Sequence, residues 1–224
     1  MSASVVVAVD GPSGSGKSST SRGVATRLGL RYLDTGAMFR ALTWWLLRSE
    51  VAVDDAEAVA ARVAEPVIVS GTDPSAPTIT VDGVDVAGPI RSQEVTSAVS
   101  AVSAVPAVRA RLLQGQREII GSGGIVVEGR DIGTVVAPDA PVKVFLTADP
   151  GARAVRRTAE MAGSTVEAVR QDLIRRDKFD SGRGTAPLVM AEDAHHIDTS
   201  PYTLVEVIDQ VVALVEQVQS ATRT

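Results

Sequence analysis

Residues Gly11 to Ser18 read Gly-Pro-Ser-Gly-Ser-Gly-Lys-Ser and match the pattern G-x-x-x-x-G-K-[ST] without a mismatch. An apolar run, Ser4 to Val9, comes before them, and a segment of helical period, Lys17 to Leu28, begins at the lysine. Glycines at these spacings let the backbone curl so that successive N–H groups point inward at an anion. The positive end of the following helix strengthens that field. The stretch therefore demands a strand, a tight loop and a helix in succession, and a sheet to hold the strand. Such a pattern arises by chance roughly once in a hundred chains of this length. In this reading Gly11, Pro12, Ser13, Gly14, Ser15, Gly16, Lys17, Ser18 and Ser19 cradle a nucleoside triphosphate. Lys17 bridges the outer phosphates, and the Ser18 hydroxyl holds Mg²⁺.

The rest of the chain continues the rhythm. Arg31 to Leu33, Ile125 to Val127, Val142 to Leu146 and His196-Ile197 are short strand candidates, and helical patterns cover Ala37 to Leu47 and Leu204 to Val218. Apolar strands separated by helices predict a parallel sheet covered on both faces, a three-layer α/β fold. One region departs from this. Thr78 to Val81 and Val84 to Val86 alternate on either side of Asp82-Gly83, a dipeptide suited to a type I′ hairpin turn. Glu65 to Val69 offers a third strand there, and Val95, Val99, Val102 and Val108 recur at helical spacing. Residues 66–106 are accordingly read as a small inserted subdomain within one domain of 224 residues.

Composition narrows the function. With no cysteine, disulfides, thiol catalysis and cysteine-ligated zinc are excluded. With no asparagine, the Asn-Lys-x-Asp motif that reads guanine in GTPases is absent. A net charge of -5 opposes sequence-independent nucleic-acid binding. The opening apolar run is too short for a leader or a membrane span, so a cytoplasmic address is expected. No heptad seam is visible, and a monomer is expected. Motors and transport ATPases need more chain, which leaves a small kinase, with a nucleotide sensor that binds without turnover as the competing class. An alcohol acceptor benefits from a general base. A phosphate acceptor is already anionic and needs instead cancellation of charge repulsion. Lys17, Lys143 and Lys178 are the only lysines; arginine, whose fork matches phosphate oxygens, supplies the remaining positive charge. No base positioned for an alcohol is evident, whereas Arg40, Arg109, Arg130, Arg153, Arg156, Arg157, Arg176 and Arg183 are candidate phosphate ligands, several of them flanking glycines or lying in loops beyond predicted strands.

Three further blocks carry a resemblance: Leu33-Asp34-Thr35-Gly36-Ala37-Met38-Phe39-Arg40, then Glu128-Gly129-Arg130-Asp131-Ile132-Gly133-Thr134, then Arg175-Arg176-Asp177 with Asp180-Ser181. Together with Asp10 to Ser18 and Pro138 to Lys143 they resemble the bacterial cytidylate kinases over almost the whole chain. The resemblance implies a P-loop nucleoside monophosphate kinase fold with a five-stranded parallel sheet, an inserted NMP-binding subdomain and a lid at about residues 151–184. It implies transfer of the ATP γ-phosphoryl group to CMP or dCMP with Mg²⁺. By similarity Thr35, Arg109 and Asp131 face the cytosine, Arg40, Arg130 and Arg183 the acceptor phosphate, and Ser100, Arg176 and Asp180 the sugar. Arg153, Arg156 and Arg157 fall in the lid, over the ATP phosphates. Lys17, Arg130, Arg183, Arg153 and Arg157 are thus the catalytic set. Glu128 stands where many relatives carry aspartate, and Phe179 where some carry arginine.

Other chemistry-bearing residues are read as structural. His195 and His196 are adjacent and have no third ligand nearby. Trp44-Trp45 suits packing, and Asp54-Asp55 suits a helix N-cap.

Overall fold

The computed structural model describes residues 5–159 and 165–221. Ser4 of the expected first strand and residues 160–164 of the expected lid lie outside the described residues. The central strand β1 (Val6–Asp10) runs into the phosphate loop and α1 (Lys17–Leu28). Next come β2 (Arg31–Asp34), α2 (Thr35–Arg48) and α3 (Ala56–Arg62). A three-stranded antiparallel sheet follows, formed by β3 (Ile68–Ser70), β4 (Ile79–Val81) and β5 (Val84–Asp85). Helices α4 (Gln93–Ala104) and α5 (Pro106–Ile120) return the chain to β6 (Ile125–Gly129) and β7 (Val142–Thr147). A helical pair, α6 (Pro150–Ala159) and α7 (Val166–Gly182), leads to β8 (His195–Asp198) and α8 (Leu204–Ala221).

The main sheet has the order β2-β6-β1-β7-β8, and every neighbouring pair is parallel. Alternation along the strands divides the apolar residues between two cores. Ala8, Leu33, Ile125 and Val127 face α2, α4, α5 and the small sheet. Val7, Val9, Tyr32 and Val126 face α1 and α8. The small sheet shares the first of these cores, through Ile79 and Val81. Its Asp82-Gly83 turn has φ of 51° and 80°, as a type I′ turn requires.

The expected elements stand with shifted ends. Helix α2 begins at Thr35 because Asp34 caps it, accepting a hydrogen bond from the Ala37 amide at 2.9 Å. The strand expected over Glu65 to Val69 is shorter, Ile68–Ser70. Asp55 caps α3, and Trp44 and Trp45 pack against the first core. His195 and His196 are exposed on β8, the edge strand, where the His196 ring meets the Thr147 hydroxyl at 2.8 Å.

Strands β1, β2 and β6 lie side by side and end together, at Asp10, Asp34 and Gly129. Ligands of open α/β sheets bind beyond such carboxyl ends.

Candidate active site

A cavity of about 590 Å³ opens where those strands end. Ser13, Gly14, Gly16, Lys17, Ser18 and Ser19 of the phosphate loop line it, as do Thr35, Arg40, Ser100, Arg109, Arg130 and Asp131. Arg157, Arg176, Asp180 and Arg183 close the wall. Most of the expected site residues, drawn from α1, α2, α4, α5, α6, α7 and the turn after β6, thus meet in one space.

Four do not line it, each for a physical reason. Gly11, at φ 146°, is pressed so close to the Leu146 carbonyl that a Cβ would sit 2.0 Å from its oxygen. Pro12 contributes its carbonyl, which accepts a hydrogen bond from Lys17 Nζ at 2.7 Å. Ser15 is fully buried, and its carbonyl accepts from Thr199 Oγ1 at 3.2 Å. Arg153, expected over the ATP phosphates, lies beside the loop and outside the cavity lining. It packs on Gly14, donates to the Ser13 carbonyl at 3.1 Å and pairs with Asp177 of α7. With 5 % of its surface exposed, it braces the loop from behind. Arg156 lines the cavity while gripping Thr199 through two hydrogen bonds.

Carboxylates hold several of the arginines that line the cavity. Arg109 pairs with Asp131 Oδ2, and its other amino group donates to the Ser103 carbonyl at 3.1 Å. Its guanidinium also lies 5.2 Å from the Phe39 ring centroid. Arg130 donates to Asp180 at 3.0 Å, and Arg183 approaches Asp180 at 3.6 Å and Asp131 at 3.9 Å. Arg40 is anchored by the Ile90 carbonyl and the Thr96 hydroxyl.

Lysine and arginine still outnumber aspartate and glutamate in the lining, although the whole chain is acidic. Burial and then the neighbouring Arg176 and Arg157 push the pKa of Arg40 down. Burial followed by Arg130 does the same to Arg176, and burial followed by Arg109 to Arg183. Arg176 Nε and Arg183 Nη2 are buried without a hydrogen-bond partner among the described residues. Crowded, desolvated cations with spare donors form a site completed by anions.

Several residues outside the expected site set belong here, beside Glu128, which the resemblance marks as a candidate for organising Mg²⁺. Asp34 and Phe39 line the cavity from the block that holds Thr35 and Arg40, and Arg91 enters after β5. Asp10 accepts from the Ile132 and Gly133 amides, both at 2.8 Å, and so fixes the turn bearing Arg130 and Asp131. Glu128 accepts from Ser18 Oγ at 3.0 Å and from the Tyr32 hydroxyl. Burial, then Asp34, raises the Glu128 pKa, while burial, then Arg130, lowers that of Lys17. The cluster of Ser18, Glu128 and Asp34 offers only hard oxygen donors, the chemistry that Mg²⁺ prefers.

The family model for cytidylate kinase matches residues 7–217. The chain belongs to the cytidylate kinase family. The cytidylate kinase of Streptomyces griseus subsp. griseus is 62% identical over 95% of this chain and 93% of its own length. That of Nocardia farcinica is 53% identical over 95% and 94%. An uncharacterised protein from Eubacterium ventriosum shares the fold, with a TM-score of 0.52 at 11% identity, covering 96% of this chain and 99% of its own. In this member of the family the phosphate loop and the arginine wall face one common space.

Proposed function

We propose that this member of the cytidylate kinase family transfers the γ-phosphoryl group of ATP to CMP or dCMP, giving ADP and CDP or dCDP. The observation that carries this is the buried Arg109–Asp131 pair lining the same cavity as the phosphate loop. Cytosine presents an exocyclic amine donor beside ring acceptors, which a carboxylate and an arginine match. Asp131 Oδ2 is taken by Arg109, and Oδ1 remains to accept from the amine. Uracil would bring a carbonyl oxygen against that carboxylate, an unpaired polar clash that disfavours binding strongly. Thr35, whose hydroxyl donates to the Glu128 carbonyl at 2.7 Å, completes the base-facing group. Ser100, Arg176 and Asp180 are assigned to the sugar.

The chemistry follows from charge. The acceptor phosphate is itself the nucleophile, so no general base is required. What opposes reaction is repulsion between two polyanions brought into line. Arg40, Arg130 and Arg183 bind the acceptor phosphate, Lys17 and the loop amides bind the donor, and the buried setting strengthens each contact. Lys17 leaves the Pro12 carbonyl for a phosphate oxygen when ATP enters. Mg²⁺, held by Ser18 with Glu128 and Asp34 nearby, would neutralise charge on the triphosphate. Among the described residues no group of three or more His, Cys, Asp or Glu could cage a metal, so the phosphates would supply the rest of its shell.

Residues 66–106 are read as the NMP-binding subdomain and 151–184 as the lid. Closure of the lid would bring Arg156 and Arg157 onto the phosphates and exclude water, which limits ATP hydrolysis. We place the activity in the cytoplasm, in a monomer that binds neither nucleic acid nor membrane.

The test is ADP release from Mg-ATP against CMP, dCMP, UMP, AMP, GMP and shikimate. Turnover confined to CMP and dCMP is expected. Equal turnover of UMP, or turnover of shikimate alone, would overturn the assignment of the base-facing group.

A further inference from the structure

We infer that Tyr32 is a positioning residue for the metal-triphosphate site, its hydroxyl holding the Glu128 carboxylate in the orientation that serves Ser18. The inference rests on the reading of Ser18 as a metal ligand.

The sheet places the two side chains together. Strands β2 and β6 pair so that Asp34 lies directly opposite Glu128 and Tyr32 opposite Val126. Paired residues share a face, so Tyr32, Asp34, Val126 and Glu128 all project toward α1, whose first turn holds Ser18. From its register position Tyr32 reaches Glu128 along the diagonal, a span within reach of an aromatic side chain. The immediate neighbour of Glu128 is Asp34, which repels it. Left to itself the buried carboxylate would turn away from that charge, and a glutamate has one more rotatable bond with which to do so than an aspartate.

Two hydroxyls prevent the rotation. Tyr32 donates to Oε1 and Ser18 to Oε2. Each carboxylate oxygen therefore has one hydroxyl donor, which fixes the plane of the group. The arrangement matters for Ser18 because a hydroxyl that gives its lone pair to a cation must direct its proton at an acceptor. Glu128 Oε2 is that acceptor, and Tyr32 keeps it in place. Tyr32 is 2 % exposed, and its ring packs in the apolar core with Val24 and Val126. A phenylalanine would fill the same space. The hydroxyl is the one part of the side chain that packing does not explain.

The probe is Mn²⁺, followed by its paramagnetic resonance as it binds the enzyme with ATP, beside ATP affinity measured in excess chelator. Tyr32→Phe should lower Mn²⁺ affinity about 10-fold, as loss of a group supporting a metal ligand does. ATP affinity without metal should stay at the wild-type value. Tyr32→Met, which fills the site without a hydroxyl, should behave alike and stands in if the phenylalanine variant folds poorly. In a Glu128→Asp background the shorter acid no longer reaches the tyrosine, so Tyr32→Phe should then change nothing. Wild-type Mn²⁺ affinity in both hydroxyl-free variants overturns the inference, and so does an equal loss in the aspartate background. If the wild-type enzyme with ATP retains no Mn²⁺, the reading of Ser18 fails first and this inference with it.

Discussion

The phosphate loop and the arginine wall of the same cavity, which we propose bind the donor and acceptor phosphates, are built in different ways. The loop is one continuous stretch whose ligands are backbone amides, set by glycines at φ of 146°, 78° and 89° and by the start of α1. The wall is assembled from side chains on α2, α5, α7 and the turn after β6. Its cations are held by carboxylates: Arg109 by Asp131, and Arg130 and Arg183 by Asp180. The hydrogen bonds by which Arg153 and Thr199 brace the loop go only to its Ser13 and Ser15 carbonyls, and its backbone amides cannot turn away on their own. Arginines can, and the wall spends acidic residues to aim them. In the proposed reading, donor binding is specified chiefly by one continuous stretch, whereas acceptor choice is specified by the tertiary fold.

Breaking the loop should therefore have the larger effect, and an effect confined to the donor. Lys17→Ala removes the one mobile cation of the loop. The expected loss in kcat is about 10³-fold, in the range found when a principal charge-stabilising group is deleted. Equilibrium binding of CMP should be unchanged, and a parallel loss of CMP affinity would contradict the division. Asp131→Ala tests the wall. The ratio of kcat/KM for CMP over UMP should fall roughly 100-fold, since the repulsion against uracil disappears with the amine's acceptor. Stability should fall too, by about 3 kcal/mol, because the buried charge of Arg109 loses its carboxylate partner and keeps the Ser103 carbonyl and the Phe39 ring. Urea melts of the variant measure that, and ATP affinity should hold.

The same contrast decides what could be read before the fold was known. The phosphate loop, the apolar strands and the Asp82-Gly83 hairpin carry their signals within a few residues, and each lies where its pattern places it. The wall residues are scattered through the chain: the need to cancel phosphate charge marked Arg40, Arg109, Arg176 and Arg183 as candidates, and the likeness to the cytidylate kinases added Asp131 and gave each a role. Arg153 was placed in the lid segment by the likeness, but its contact with Ser13 spans 140 residues and depends on how α6 settles on the loop. Tyr32 was legible only as a strand residue, for its meeting with Glu128 is a property of strand register. Nothing in local spacing encodes either contact.

Asp10 joins the two regions, and its titration offers the finest test of how they are coupled. It ends β1 just before the loop, and its two oxygens accept from Ile132 and Gly133, just beyond Arg130 and Asp131. Burial raises its pKa from 3.8 to about 6, against the opposing pull of those two amides. A carboxyl raised in the folded state favours folding fully below 3.8, and that contribution is lost as pH rises through about 6. The shift of about two units corresponds to about 3 kcal/mol. Asp10→Asn keeps the shape but cannot ionise. The stability of the two proteins, from urea melts, should be close at pH 4 and move in favour of the amide by up to about 3 kcal/mol at pH 7. A constant difference across that range would show that the Asp10 pKa is not raised on folding. The amide also replaces one acceptor with a donor, against either Ile132 or Gly133, and so loosens the turn that aims Arg130 and Asp131. A variant more stable at neutral pH yet slower with CMP would mean that the chain keeps a costly buried carboxylate to hold the wall in register with the loop.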